Sequence, residues 1–290
     1  MNNPMPLRKA VIPAAGFGTR MLPAAKAVPK ELLPVLDKPV IQYVVEEAAG
    51  AGIEDVLLVV SREKRAVEDH FDRNPELEER LRDAGKDSLL ASVAELAGRV
   101  KIHSTRQPRQ LGLGDAVLQA ERHVGGEAFL CLLGDTIFSE GVPARQLAAA
   151  HAEFGGTIIG LEEVPPEKVS RYGIVGGTPV REGVLKLDTL VEKPSIDLAP
   201  SRLAIAARYV LSPGIFACLR NTAPGAGGEI QLTDALRALL LREPVHGVIL
   251  RGRRHDVGNP IDWLKTNLLF AARDEAMRTA LGSTIRELID

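Results

Sequence analysis

Only two cysteines, Cys131 and Cys218, occur in 290 residues, and neither has a partner at metal-ligand spacing. Both sit in apolar runs, Phe129-Leu130-Cys131-Leu132-Leu133 and Ile215-Phe216-Ala217-Cys218-Leu219, and read as buried free thiols. The six histidines are scattered without an H-x-x-x-H or similar pair, which excludes a histidine-built transition-metal site, His255 included. Net charge is also lacking: 36 basic against 38 acidic residues leave −2, with an isoelectric point near 6.3. That balance gives no basic field for nucleic acid or for a membrane of anionic lipid, so any positive charge that matters is local. No apolar stretch is long enough to span a bilayer. Met1-Asn2-Asn3-Pro4-Met5-Pro6 leads straight into Arg8-Lys9 without the apolar core of a signal peptide, and the cytoplasm is the expected location.

What is present is a hydrophobic content of 45%, enough for a substantial core in one large domain or two small ones. Apolar strand-like runs at 8–13, 55–60, 100–104 and 128–133 alternate with helix-period segments at 39–51, 62–73, 86–98 and 113–124. Such alternation predicts an α/β sheet with helices on both faces. The polar, periodic stretch 74–98 reads as a helical pair inserted between the second and third strands. Shorter β runs at 156–163, 173–177, 184–191 and 205–211 predict a mixed-sheet extension covering a bound substrate. Helices at 213–221 and 231–241 and a strand at 245–251 follow. In the helical tail from Pro260, residues Trp263, Leu264, Leu268, Leu269 and Phe270 form one apolar stripe that suits the chain's own core and a subunit interface equally. The expected division is a main domain over 1–259, with its β extension at about 156–211, and a tail over 260–290.

Two familiar phosphate loops are absent. The run Lys9-Ala10-Val11-Ile12-Pro13 ends in Ala14-Ala15-Gly16-Phe17-Gly18-Thr19-Arg20-Met21-Leu22-Pro23. Thr19-Arg20 follows Gly18 in place of a Lys-Ser pair, and Leu22-Pro23 stands where a third glycine would be, so neither G-x-x-x-x-G-K-[ST] nor G-x-G-x-x-G is met. A dinucleotide-dependent dehydrogenase fails on the same ground, and also because Ser61-Arg62 ends the second strand where an acidic residue is needed. What the segment does offer is small residues and two glycines that let backbone N–H groups approach an anion. Arg20, Lys26 and Lys30 add positive charge beside them. A bare Gly-x-Gly reads as a tight turn, but a turn needs neither these cations nor Pro29-Lys30-Glu31-Leu32-Leu33-Pro34; together they suit a nucleoside triphosphate.

Asp135 emerges where the buried run 129–134 ends, a position at which open α/β sheets collect ligands. A carboxylate there suits Mg²⁺, and serves equally as a helix cap or in ordering the Thr136 turn. Asp256 closes the run Val248 to His255, within which Arg251, Arg253 and Arg254 read as a solvated strand end. Gln107 and Gly112 lie in an irregular stretch whose amide side chain and exposed backbone can read a pyrimidine edge, or form an ordinary loop. Glu192 and Lys193 are adjacent on a predicted strand, which sends their side chains to opposite faces or edges; a surface ion pair is the plain alternative.

The segment Ala14 to Glu47 resembles the signature of the bacterial UTP–glucose-1-phosphate uridylyltransferases, within the sugar-nucleotide pyrophosphorylases. The similarity continues in order through Arg106-Gln107…Gly112-Leu113-Gly114, Leu133-Gly134-Asp135, Tyr172-Gly173-Ile174-Val175, Val191-Glu192-Lys193-Pro194, Gly228-Glu229-Ile230-Gln231-Leu232-Thr233-Asp234 and His255-Asp256-Val257-Gly258-Asn259. The resemblance implies a Rossmann-like nucleotidyltransferase fold of glycosyltransferase-A type: a mixed, mostly parallel sheet flanked by helices. It implies a homodimer or homotetramer that makes UDP-glucose and pyrophosphate from UTP and glucose 1-phosphate with Mg²⁺. By the same resemblance Ala14, Ala15, Gly16, Gly18, Thr19, Lys26, Glu31, Gln107 and Gly112 bind the nucleotide, with uracil on Gln107 and Gly112. Asp135, Gly173, Glu192 and Lys193 take the sugar phosphate, Asp135 and Asp256 the metal, and Arg20, Lys30 and Lys193 are the catalytic cations. Asp115 stands where many relatives have His, Ala25 where they often have Thr, and Gly134 where many have Pro. Rival expectations are a pyrophosphorylase for dTTP or another hexose 1-phosphate, and a non-catalytic nucleotide-sugar-binding paralogue.

Overall fold

The structure, a computed structural model, describes residues 6–289. Its frame is a nine-stranded mixed sheet. In spatial order the strands are Lys101–Arg106, Asp55–Val60, Lys9–Pro13, Phe129–Leu132, Leu203–Leu211, Thr157–Glu163, Val245–Ile249, Val184–Glu192 and Gly173–Arg181. The first four run parallel, as does the pair 157–163 with 245–249; the other neighbours are antiparallel. Ala10, Val11 and Ile12 are fully buried because helices cover both faces of their strand, which explains a continuous apolar run in place of an alternating one. On one face Ile12, Leu58 and Leu130 pack on helices Val40–Gly50 and Pro143–Phe154; on the other Val11, Leu57 and Cys131 pack on Leu113–Leu118, Gly214–Arg220 and Leu232–Leu240.

Strand 9–13 connects onward to 55–60 on one side, yet its other neighbour is 129–132. The loops that leave 9–13 and 129–132 therefore diverge from a point where strand order reverses, and a crevice opens between them. Gly134 sits at that point: a Cβ there would lie 3.2 Å from the Pro13 carbonyl oxygen, so glycine lets the two loops approach closely.

Several boundaries differ from expectation. The stretch 62–73 holds only a turn, Arg62–Lys64, and a short helix, Arg65–Asp69; the stretch 113–124 breaks into Leu113–Leu118 and Glu121–Val124. The inserted pair is present as Pro75–Asp83, capped by the Asn74 side chain on Leu77 N, and Asp87–Arg99. The apolar tail stripe divides. Trp263 and Phe270 pack on the core, while Leu264 and Leu268 face outward beside Ile261. Most consequential is a two-stranded antiparallel ribbon that the sequence pattern does not announce: Thr136–Ser139 pairs with Arg253–Asp256, setting Asp256 opposite Thr136. The backbone N–H of Val257 then donates to the Asp135 carbonyl (3.0 Å).

Candidate active site

Two cavities meet at the crevice. The first, about 570 Å³, lies between Ala14–Arg20 and Gln107–Leu113. The second, about 330 Å³, lies between Tyr172-Gly173, Glu192-Lys193 and Gln231–Thr233. Arg20, Leu113, Leu133 and Asp135 line both, so the cavities share a wall that carries one cation and one carboxylate.

The wall of the first cavity is backbone-rich for reasons visible in each glycine. A Cβ on Gly16 would meet nothing within 4 Å, which leaves its peptide open to an approaching anion. Gly112 has φ +98°, and a Cβ on it would be 2.8 Å from Glu229 Cβ; this loop is pinned to the 228–231 segment by Ile230 N donating to Leu111 O (2.7 Å). Gln107 is buried, and its amide nitrogen donates to Gly112 O (3.0 Å) and Asp115 Oδ2 (2.7 Å). Asp115, an acceptor only, thus fixes which end of that amide remains for a ligand. Gln110 was not singled out by sequence. Its amide nitrogen donates to Ala15 O (2.8 Å), and its Oε1 is the one buried side-chain oxygen without a hydrogen-bond partner among the described residues. The Gln110 residue lines the same cavity.

At the shared wall Lys30 Nζ lies 2.5 Å from Asp135 Oδ2. Burial alone would lower the Lys30 pKa, but the Asp135 carboxylate beside it holds it above its ordinary value. Burial would likewise raise Asp135, yet Lys30 and then Arg20 keep its carboxyl below the usual range. A Cβ built on Gly258 would sit 3.0 Å from both Arg20 Nη2 and Asp256 Oδ1 and 3.4 Å from Asp135 Oδ2. Both carboxylates and the guanidinium therefore converge above Gly258, where the lack of a side chain leaves them room.

In the second cavity Glu192 ends its strand and Lys193 leaves it with φ +45°. Strand alternation stops there, so the two side chains do not diverge as expected; Lys193 Nζ lies 3.2 Å from Glu192 Oε1 and both line the cavity. Gly173 packs so closely that a Cβ would be 3.0 Å from Ile205 Cδ1. The Arg254 side chain, expected in solvent, is buried: it pairs with Glu162, and its guanidinium carbon lies 4.3 Å from the Tyr172 ring centroid.

Of the residues expected at the site, Ala14, Ala15, Gly16, Gly18, Thr19, Gln107 and Gly112 line the first cavity, and Gly173, Glu192, Lys193 and Asp256 the second. Two are placed otherwise. Lys26 is exposed and lies outside both cavities. Glu31 borders the first, but both its carboxylate oxygens accept from Lys64 Nζ (2.7 and 2.5 Å), so it braces the loop in place of meeting a polyanion. Burial pushes Glu31 up and Lys64 down, each toward its neutral form. Arg171, Arg254, Gln231 and Thr233 are further lining residues; the last two fall in a motif whose role the sequence left open.

A triphosphate-sized cavity that meets a sugar-sized one at a carboxylate–cation wall is the layout of a nucleotidyltransferase. The family model for nucleotidyl transferases matches residues 9–273. A UTP–glucose-1-phosphate uridylyltransferase of Bacillus subtilis (strain 168) is 48% identical over 98% of this chain and 96% of its own length. A putative one of Methanocaldococcus jannaschii is 48% identical over 92% and 94%. Among solved structures, a UTP-bound UGPase from Acinetobacter baumannii superposes with TM-score 0.89 at 38% identity, covering 97% of this chain and 99% of that one. A UDP-glucose pyrophosphorylase complexed with UDP-glucose gives 0.86 at 37%, covering 92% and 100%. The chain belongs to the nucleotidyl transferase family and, within it, to the UTP–glucose-1-phosphate uridylyltransferases.

Proposed function

We infer that this protein transfers the uridylyl group of UTP to α-D-glucose 1-phosphate, giving UDP-glucose and pyrophosphate. The observation that carries this is the wall shared by the two cavities at Arg20 and Asp135, which leaves room for a triphosphate on one side and a sugar phosphate on the other. A phosphate oxygen of the sugar phosphate attacks the α-phosphorus as the bond to the β-phosphate oxygen breaks opposite. The attacking oxygen is already ionised, so no general base is required, and the protein's work is alignment and charge neutralisation.

The open peptide at Gly16 and the Gly18–Arg20 turn receive the triphosphate, with Lys30 and Arg20 beside the transferred and leaving phosphates. Lys193 offsets the charge of the incoming sugar phosphate, and Glu192 with the Gly173 backbone receives the hexose hydroxyls. Asp135 and Asp256 fit Mg²⁺, since both converge above Gly258 and offer hard oxygen ligands. When bound, the ion would neutralise phosphate oxygens as the two anions approach. Gln107 and Gly112, with Gln110 on the same wall, receive the uracil. A cytoplasmic location fits these substrates, and self-association would use the outward face Ile261, Leu264 and Leu268. A pyrophosphate-release screen over UTP, dTTP and several sugar 1-phosphates, with and without Mg²⁺, tests the inference. UTP with glucose 1-phosphate should give the highest, metal-dependent rate; preference for dTTP or another sugar overturns it.

A further inference from the structure

Arg208 is the largest fully buried side chain among the described residues, on a strand in the middle of the sheet. A buried guanidinium is a poor way to gain stability, because an apolar group of similar volume often does as well or better. What it holds is more telling. Nε lies 3.0 and 3.1 Å from the two carboxylate oxygens of Glu47, and Nη2 donates to Glu47 Oε2 at 2.8 Å. Nη2 also donates to Thr136 O (2.8 Å), and Nη1 to Ala207 O (3.0 Å), with a longer 3.5 Å contact to Leu133 O. Leu133 and Thr136 bracket Gly134-Asp135, so one rigid fork grips both ends of the turn that presents the Asp135 carboxylate.

The grip extends further. Ala207 holds φ +59°, unusual for a residue with a side chain, and its carbonyl accepts from both Arg208 and Leu133 N (3.2 Å). Ala207, Asp135 and Thr136 all line the sugar-side cavity. Glu47 in turn accepts from Ala144 N (3.1 Å), which ties the fork to the start of helix 143–154.

We propose that Arg208, anchored by Glu47, is a positioning residue for the transfer: it fixes the 133–136 turn and the Ala207 carbonyl so that Asp135 faces the reacting phosphates. This rests on Asp135 being a metal ligand. The prediction is a joint loss of turnover and of metal affinity in a folded protein. Loosening the turn by up to an ångström should lower kcat about 10–100-fold and weaken Mn²⁺ binding about fivefold or more.

Two variants separate positioning from stability. Arg208→Lys keeps the charge and loses the fork. Glu47→Leu/Arg208→Met replaces the pair by apolar groups and leaves neither charge buried alone, so it should fold, with a Tm lowered by the lost bonds to Thr136 O and Ala144 N. Each is assayed for thermal unfolding, kcat and Mn²⁺ affinity by electron paramagnetic resonance, with Asp135→Asn as reference. Low kcat and weak Mn²⁺ binding in a stably folded double variant support the proposal; parental values for both overturn it and leave Arg208 merely structural. Should Asp135→Asn itself keep parental Mn²⁺ affinity, the ligand assignment fails and takes the proposal with it. If Asp135→Asn loses the ion while the double variant keeps it and kcat, only the Arg208 proposal fails. Should the double variant not fold, Arg208→Lys decides the matter by the same criteria.

Discussion

Gly258→Ala is the smallest change that reaches the heart of the site. Gly258 is buried and its φ lies outside the left-handed region, so alanine is allowed by the backbone. The added methyl would stand 3.0 Å from Arg20 Nη2 and Asp256 Oδ1 and 3.4 Å from Asp135 Oδ2. All three are tips of side chains, which can give by a few tenths of an ångström. The cost to stability should therefore sit at the low end of overpacking, about 1 kcal/mol, or roughly 2–4 °C in Tm. Function should suffer far more, because the three groups displaced are those expected to meet the phosphates and the ion. Misplacement on that scale predicts a fall in kcat of about 10–100-fold, measured by continuous pyrophosphate release at saturating UTP and glucose 1-phosphate. A variant with kcat within twofold of the parent protein and a near-parental Tm would show that these groups do not converge on the reaction.

Lys193→Ala should lose about 10²-fold in turnover with a raised KM for glucose 1-phosphate, since no other lysine among the described residues lines that cavity; unchanged sugar-phosphate kinetics would remove its role. Gln110→Ala should raise KM for UTP about fivefold to tenfold through loss of one neutral hydrogen bond, with little effect on kcat; calorimetric UTP affinity equal to the parent protein's would exclude a base contact. The pH dependence of stability should include His151, which is buried with Nδ1 2.9 Å from Gly156 O and whose pKa burial holds below its ordinary 6.5. The unfolded chain then takes up this proton before the folded one does, so the contribution is complete above about pH 6.5 and declines as pH falls through it. Tm should drop between pH 7 and 5, and His151→Gln should flatten part of that drop; identical profiles would reject the assignment.

The frame was legible because its signal is physical and local. A strand covered on both faces needs a continuous apolar run, and 9–13, 55–60 and 129–132 have one. The phosphate-side loop was legible for the same reason, since glycines and cations clustered directly after such a strand form a surface suited to an anion. The ribbon 136–139 with 253–256 was not, because each partner has only four residues and Arg253-Arg254-His255-Asp256 carries no apolar alternation. Its pairing is what brings Asp256 to Asp135, a contact across more than a hundred residues that no local pattern encodes. Arg254 differs from expectation for the same reason: its charge suggests solvent, whereas Glu162 and the Tyr172 ring, both distant in sequence, bury it. Glu31 sits in the motif with Lys30, and only the fold reveals Lys64 as its partner. The opposite-face expectation for Glu192 and Lys193 failed on a single dihedral, the positive φ of Lys193.

Catalysis as proposed requires both substrates to lie together across the Arg20–Asp135 wall, with one displacement at the α-phosphorus and no enzyme-bound uridylyl group. Turnover of glucose 1-phosphate with a single diastereomer of the α-phosphorothioate analogue of UTP, followed by ³¹P NMR of the product, reads this directly. Inversion of configuration at the α-phosphorus is the predicted result; retention, or the absence of any nucleotide-sugar product, would contradict it.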